Sequence, residues 1–194
     1  MIGEPSTVKA KLIELSNQFS VFNQHGQRIG AVNETGQSTL KKAVRLLTSY
    51  DQYLTHRYEV LDANGAVALR LTRPAKLVKS SIIVSNGADQ AIGTIRQDNV
   101  FGKIHFSLEA ANGVVGSIRA ENWRAWNFRI EDHSGREVAR ITKTFEGFLK
   151  NSFTTADNYV VQIHERLADP LRSLVVAAAV SIDTALKQDQ RGLN

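Results

Sequence analysis

Asp169-Pro170-Leu171-Arg172-Ser173-Leu174-Val175-Val176-Ala177-Ala178-Ala179-Val180-Ser181-Ile182-Asp183 is the segment on which the fold turns. Asp is a favoured N-cap and proline a favoured first helical residue, so a helix is expected over 169–188, with 189–194 left as a flexible tail. Its middle, Leu174 to Val180, is apolar on every side rather than along one stripe. A helix of that kind must be enclosed. The apolar stretch is about half of the roughly 20 residues needed to cross a bilayer, and Arg172 and Asp183 bracket it. Protein is therefore the expected enclosure, and no transmembrane span is expected.

The preceding chain supplies the enclosing material. From about residue 17 to 165 it reads as short strands separated by turns in which Asn, Asp or His stands close to Gly: His25-Gly26, Asn64-Gly65, Asn86-Gly87, Asn112-Gly113 and His133-Ser134-Gly135. Glycine supplies the positive φ that tight hairpins require, and Asn or Asp tolerates it. The glycines at 65, 87, 113 and 135 lie 22 to 26 residues apart, about two strands and two turns. Lys103-Ile104-His105-Phe106-Ser107-Leu108-Glu109 and Asn127-Phe128-Arg129-Ile130-Glu131 alternate polar with apolar, the mark of a strand with one wet face. A long antiparallel meander has two edges that invite aggregation, and closure removes them. A barrel of around twelve strands is too wide for side chains alone to fill. The expectation is a mainly β fold: one domain over 1–188, a closed antiparallel barrel of about 12 strands around the C-terminal helix.

Composition narrows the chemistry. A chain of 194 residues with 42% hydrophobic and 22% charged residues can fill one core and is not disordered. No cysteine is present, which excludes disulfides, thiolate metal sites and cysteine nucleophiles. The start, Met1-Ile2-Gly3-Glu4-Pro5, lacks a secretory signal, so a cytoplasmic location is expected, with peripheral attachment to membrane as its extension. The histidines 25, 56, 105, 133 and 164 are scattered, and neither a G-x-S-x-G elbow nor a phosphate-binding G-x-x-x-x-G-K-[ST] loop occurs. No catalytic residue, metal or cofactor is expected, and the protein is read as a non-enzyme.

Several segments resemble a known family. Thr155-Ala156-Asp157-Asn158-Tyr159-Val160-Val161-Gln162-Ile163 followed by the terminal apolar helix resembles the corresponding end of the phospholipid scramblases. Tyr53-Leu54-Thr55-His56-Arg57, Asn99-Val100-Phe101-Gly102-Lys103-Ile104, Glu121-Asn122-Trp123-Arg124-Ala125-Trp126 and Ala139-Arg140-Ile141-Thr142-Lys143 look like the bacterial scramblase-like or LURP-one-related proteins. The likeness covers roughly residues 10 to 190. It implies the tubby C-terminal-like fold, a twelve-stranded barrel around a hydrophobic helix. Scramblases are proposed to bind calcium just before that helix. Here Thr155 stands where the family has an acid and no turn glycine follows, so no calcium site is carried over.

The formal net charge of +5 predicts attraction to polyanions. The densest basic stretch is Arg70-Leu71-Thr72-Arg73-Pro74-Ala75-Lys76-Leu77-Val78-Lys79, with Lys143 and Lys150 flanking a second segment. Some tubby-like domains bind phosphoinositide headgroups through Lys and Arg, which implies Arg70, Arg73, Lys76, Lys79 and Lys143 as candidate phosphate contacts. The bland alternative is a solvated, solubilising face. Leu40 to Leu47, with Lys41, Lys42 and Arg45, reads as a short amphipathic helix, and Trp123 and Trp126 as strand aromatics or an interfacial pair. Peripheral binding of anionic phospholipid is the leading expectation. A carrier of an apolar ligand, marked by a cavity beside the helix, or a protein-interaction module is the alternative, and nucleic acid is disfavoured because no recognition motif occurs.

Overall fold

A computed structural model describes residues 8–15, 18–35, 55–75, 79–99, 102–121, 127–144 and 158–191. Leu40–Leu47, Lys76, Lys150, Trp123 and Trp126 lie outside the described residues. Twelve strands form one closed barrel, each antiparallel to its neighbours in sequence: β1 (Val8–Leu15), β2 (Gln18–Asn23), β3 (Arg28–Thr35), β4 (His56–Leu61), β5 (Val67–Arg73), β6 (Ser81–Asn86), β7 (Ala91–Gln97), β8 (His105–Ala110), β9 (Gly113–Ala120), β10 (Asn127–Asp132), β11 (Glu137–Thr144) and β12 (Asn158–Ile163). Closure is made by β1 against β12, from Val8 opposite Ile163 to Ile13 opposite Asn158. The first strand starts earlier than the sequence reading placed it. Val8-Lys9-Ala10-Lys11-Leu12 alternates like the others, and it is the strand that seals the barrel.

The helix α1 (Leu171–Arg191) is enclosed as its composition demands. Leu174, Val175, Ala177, Ala178, Ala179, Val180 and Ile182 are all buried, which covers every direction around the axis. Asp169 caps it: its Oδ1 accepts from the Ser173 amide at 3.2 Å and from the Ser173 hydroxyl at 2.6 Å. The helix starts two residues later than expected and continues through Arg191, because no breaker intervenes before Gly192. It packs against β5, β6 and β7. Where it presses closest the strands carry glycine. A Cβ on Gly93 would sit 3.3 Å from Leu174 Cδ1, and one on Gly116 3.2 Å from Leu171 Cδ1, while each would also strike a carbonyl oxygen of the neighbouring strand.

The hairpins at one end share a turn with a single frame. Asn23, Asp62, Asn86 and Asp132 each accept, through Oδ1, the amides two and four residues on, at 2.9 to 3.1 Å. The left-handed residue follows three places after each: Gly26, Gly65, Asp89 and Gly135. Gly87 is therefore not the positive-φ position of its turn, against the sequence expectation. Asp89 takes that role at φ 61°, and Gly87 is small because a Cβ there would collide with the Val67 carbonyl oxygen.

Candidate functional site

Strand direction sorts the charged residues between two ends of the barrel. The turn end carries Asp62, Asp89, Asp132, Glu165 and Asp169 beside Arg28, Arg136 and Arg172. The opposite end carries Arg57, Lys79, Arg96, Lys103 and Arg119 on its outside, against Asp98 and Glu121. At the turn end the charges neutralise one another. Arg136 Nη2 bridges Asp132 at 3.2 Å and Glu165 at 2.7 Å, and Arg172 pairs with Asp169. Ser134 and the turn amides hold the Asp132 carboxyl down at about 2. Asp169 is likewise lowered, chiefly by the Ser173 hydroxyl.

The four nominated basic residues that are described, Arg70, Arg73, Lys79 and Lys143, do not form one patch. Arg70 faces outward and is occupied: its Nε reaches Glu59 at 3.1 Å, and its Nη1 reaches the Gly87 carbonyl at 2.6 Å and Asp89 at 3.1 Å. The Glu59 hydrogen bond raises its pKa further. Arg73 faces the other way. It is 2% exposed, in register with His56, which is also buried. Strand residues three apart lie on opposite faces, so Arg70 and Arg73 do not share a surface. Lys143 shares a face with buried Tyr159, its Nζ 5.9 Å from the ring centroid. Lys79 is exposed at the end opposite the turns and donates to the Asp98 carbonyl. Lys76 is outside the described residues.

A different set of cations is brought together on the outer face. Register places His105 opposite Arg119, Arg119 opposite Arg129, and Arg129 opposite Arg140, one row across β8 to β11. Carboxylates interleave them. Glu131 takes Arg119 Nε at 3.1 Å and Arg129 Nη2 at 2.8 Å, and Glu121 takes Arg140 Nη1 at 2.6 Å. Arg140 is also forked onto Glu137, which His164 approaches at 3.1 Å. Both partners, Glu121 first, push Arg140 up, while burial of Glu137 is outweighed by its hydrogen bonds from Arg140 and His164 and its pKa falls. The row was missed from sequence because its members lie ten or more residues apart. Counting register outward from the Asp132 turn aligns Arg129 with Ala139, and only the β-bulge between Ile130 and Glu131 brings Arg140 opposite it.

Two cavities lie among the described residues near these elements. A polar one of about 410 Å³ opens beside the row, lined by Lys103, His105, Arg119, Glu121 and Arg129. An apolar one of about 280 Å³ lies between the helix residues Val176, Ala179 and Val180 and the strands opposite the helix's packed face, including Leu12, Val32, Val60 and Val161. No described helix is long and apolar enough to cross a membrane.

The comparisons with known proteins fit this architecture. The scramblase family model matches residues 10–186. A phospholipid scramblase family protein of Schizosaccharomyces pombe is 26% identical over 160 residues, covering 77% of this chain and 41% of the relative, so the chain spans less than half of that protein. The altered inheritance rate of mitochondria protein 25 of Saccharomyces cerevisiae is 23% identical, covering 94% of this chain and 70% of the relative. An X-ray structure of an Arabidopsis thaliana protein superposes with a TM-score of 0.56 at 11% identity, covering 93% of both chains, and supports the fold alone. With a family match across nearly all of the barrel and into its central helix, this chain belongs to the scramblase family.

Proposed function

We propose that this chain is a non-enzymatic, phospholipid-engaging domain that binds anionic headgroups peripherally, with the end opposite the hairpin turns facing the membrane. The family membership supports the phospholipid part of the reading. The observation that carries the orientation is charge segregation among the described residues: acids and bases neutralise one another around the turns, whereas Arg57, Lys79 and Lys103 stand at the other end, beside Arg96, which pairs with Glu109. Basic groups near an anionic surface contribute about 1 kcal/mol each, and the attraction falls off within a Debye length. Lys79 and its sequence neighbour Lys76 are the proposed contacts retained from the basic stretch. The enclosed location of the helix leaves binding to the outer surface.

Sedimentation with neutral vesicles, and with vesicles carrying phosphatidylserine or phosphoinositide, tests the reading at low and physiological salt. Salt-sensitive binding confined to the anionic vesicles is expected. Lys79→Glu with Arg57→Glu should weaken it by an order of magnitude or more, from about 1 kcal/mol per charge removed and as much again per charge reversed. Lys9→Glu with Arg28→Glu, at the turn end, should leave it nearly intact. Equal losses from the two pairs would dispose of the orientation, and no preference for anionic vesicles would dispose of the reading.

A second reading is favoured by one observation, the apolar cavity beside the helix. At about 280 Å³ it approaches the lower bound of ligand pockets, about 300 Å³. Extraction of the purified protein followed by mass spectrometry of the organic phase would reveal a carried apolar molecule.

A further inference from the structure

We infer that the polar cavity beside the arginine row is a binding site for a phosphate monoester, which deepens the lipid-headgroup reading and rests on it only for the source of the ligand. The site is built from side chains on three consecutive strands and the connection before them. Lys103 precedes β8, His105 begins β8, Arg119 lies near the end of β9 and Arg129 near the start of β10. All four line one cavity of about 410 Å³, in which Glu121 is the one acid. That acid is already engaged by Arg140 at 2.6 Å. Of the carboxylates just outside the lining, Glu131 is divided between Arg119 and Arg129, and Asp98 lies against His105. Lys103 is exposed and has no carboxylate partner among the described residues. The lining itself thus sets three cations, Lys103, Arg119 and Arg129, against the single acid Glu121.

The second observation concerns individual atoms. His105 Nε2 and Arg129 Nε are buried and make no hydrogen bond. Buried polar atoms are almost always paired, and an exception calls for a missing ligand, water or ion. The other side of each group is fixed. His105 Nδ1 lies 3.1 Å from Asp98 Oδ2, itself held by the Ser107 hydroxyl at 2.7 Å, and Arg129 Nη2 is on Glu131. Anchoring Nδ1 on an acid leaves Nε2 as the free ring position. The side chains of Arg129, His105, Arg119 and Lys103 then border one cavity.

That donor set selects among anions. Two arginine forks favour paired oxygens on one phosphorus or carbon, and Lys103 adds a compact point charge. A phosphate monoester presents three terminal oxygens and close to two negative charges near neutrality. A diester, as in phosphatidylserine, presents two oxygens and one charge. The cavity is open to the outside, so the organic part of the ester can lead away to solvent or into a bilayer. The chemistry is shared by a monoester lipid headgroup and by a soluble phosphate ester, and the test separates them.

The experiment uses the whole chain. Glycerol 3-phosphate and the diester glycerophosphocholine are titrated while the His105 ring resonances are followed by NMR, and the protein is sedimented with phosphatidic acid or phosphatidylserine vesicles of matched charge. The expected result is saturable movement of the His105 signals with the monoester alone, and tighter sedimentation with phosphatidic acid. Lys103→Gln, at an exposed position, should weaken both by about tenfold, the loss of one charge-assisted contact. Arg119→Lys, which keeps charge but loses the fork, should erase the preference for monoester. Monoester binding without vesicle binding would uphold the site for a soluble ester and overturn the lipid source. Vesicle binding with no monoester preference and no His105 response would overturn the site and leave the headgroup reading standing. No response in either arm would overturn both.

Discussion

Arg119 and Arg129 stand directly opposite each other across the β9–β10 ladder, like charge facing like charge on the outer surface of the barrel. Such a pair is destabilising by itself. Glu131, with its side chain only 11% exposed, spans both guanidiniums and makes the arrangement tolerable. Glu131→Gln keeps the shape and removes the charge. The variant should lose about 1–2 kcal/mol, less than a fully buried pair would, because both arginines are partly solvated. Urea unfolding checks this. The deficit should shrink between low salt and about 0.5 M salt as the repulsion is screened. A variant as stable as the parent at low salt would show that Glu131 is not the group holding the two cations together.

The helix packs off-centre, and that asymmetry predicts opposite responses from adjacent alanines. Ala178 is fully buried and does not line the apolar cavity, whereas Ala179 does. Ala178→Leu should therefore overpack the core and cost about 1–3 kcal/mol. Ala179→Leu should remain within about 1 kcal/mol of the parent, because its added methylenes enter empty space. Leu174→Ala, removing a side chain with no exposure, should cost about 2–5 kcal/mol. Denaturant midpoints for the three variants test the set, and equal losses from the two leucine substitutions would contradict the placement of the cavity.

The helix and the alternating strands were legible because each is a local pattern whose consequence is global. An all-round apolar helix needs a container, and a meander needs closure. The site was not legible in the same way. Arg70 and Arg73 attract notice by lying close in sequence, yet an odd spacing along a strand sends them to opposite faces. Arg119, Arg129 and Arg140 are far apart in sequence, yet the register makes them neighbours. Linear density of charge is a poor guide to surface density in a sheet, where proximity is set by turn length and bulges. β1 was overlooked for a related reason: Val8–Leu12 alternates, the pattern breaks at Ile13-Glu14, and the strand gains its meaning only from β12, at the other end of the chain.

The turn frame at β6–β7 carries a substitution test that sequence inspection would get backwards. Asn-Gly at 86–87 resembles the usual hairpin signal, yet the left-handed residue is Asp89. Asp89→Gly should relieve strain and leave stability equal or raised by up to about 1 kcal/mol, since the Arg70 pair it loses is solvent-exposed. Gly87→Ala should destabilise the protein, since its methyl group meets the Val67 carbonyl across the ladder. Thermal unfolding of both variants decides it. Stabilisation by the alanine would mean that the backbones of β5 and β6 are not in this contact.

Acid should loosen the turn end first. The Asp132 carboxyl ordinarily titrates near 3.8 and is held at about 2 by the Ser134 hydroxyl and the turn amides. A depressed native value means that the ionised group contributes stability in full above its unfolded value, and that this is lost as pH falls through the native value. Glu137 and Asp169, both lowered, act in the same direction. The protein should thus weaken progressively as pH drops from about 4 to about 2. Asp132→Asn retains the Oδ1 acceptor and hence the turn, but has no proton to bind. Its stability should fall less over that interval than the parent's, with the remaining decline assigned to Glu137 and Asp169. Urea midpoints of both proteins across the interval measure the difference. Identical declines would mean that Asp132 holds no more charge-dependent stability in the folded chain than in the unfolded one, and that the hydrogen bonds in its turn do not favour the ionised form.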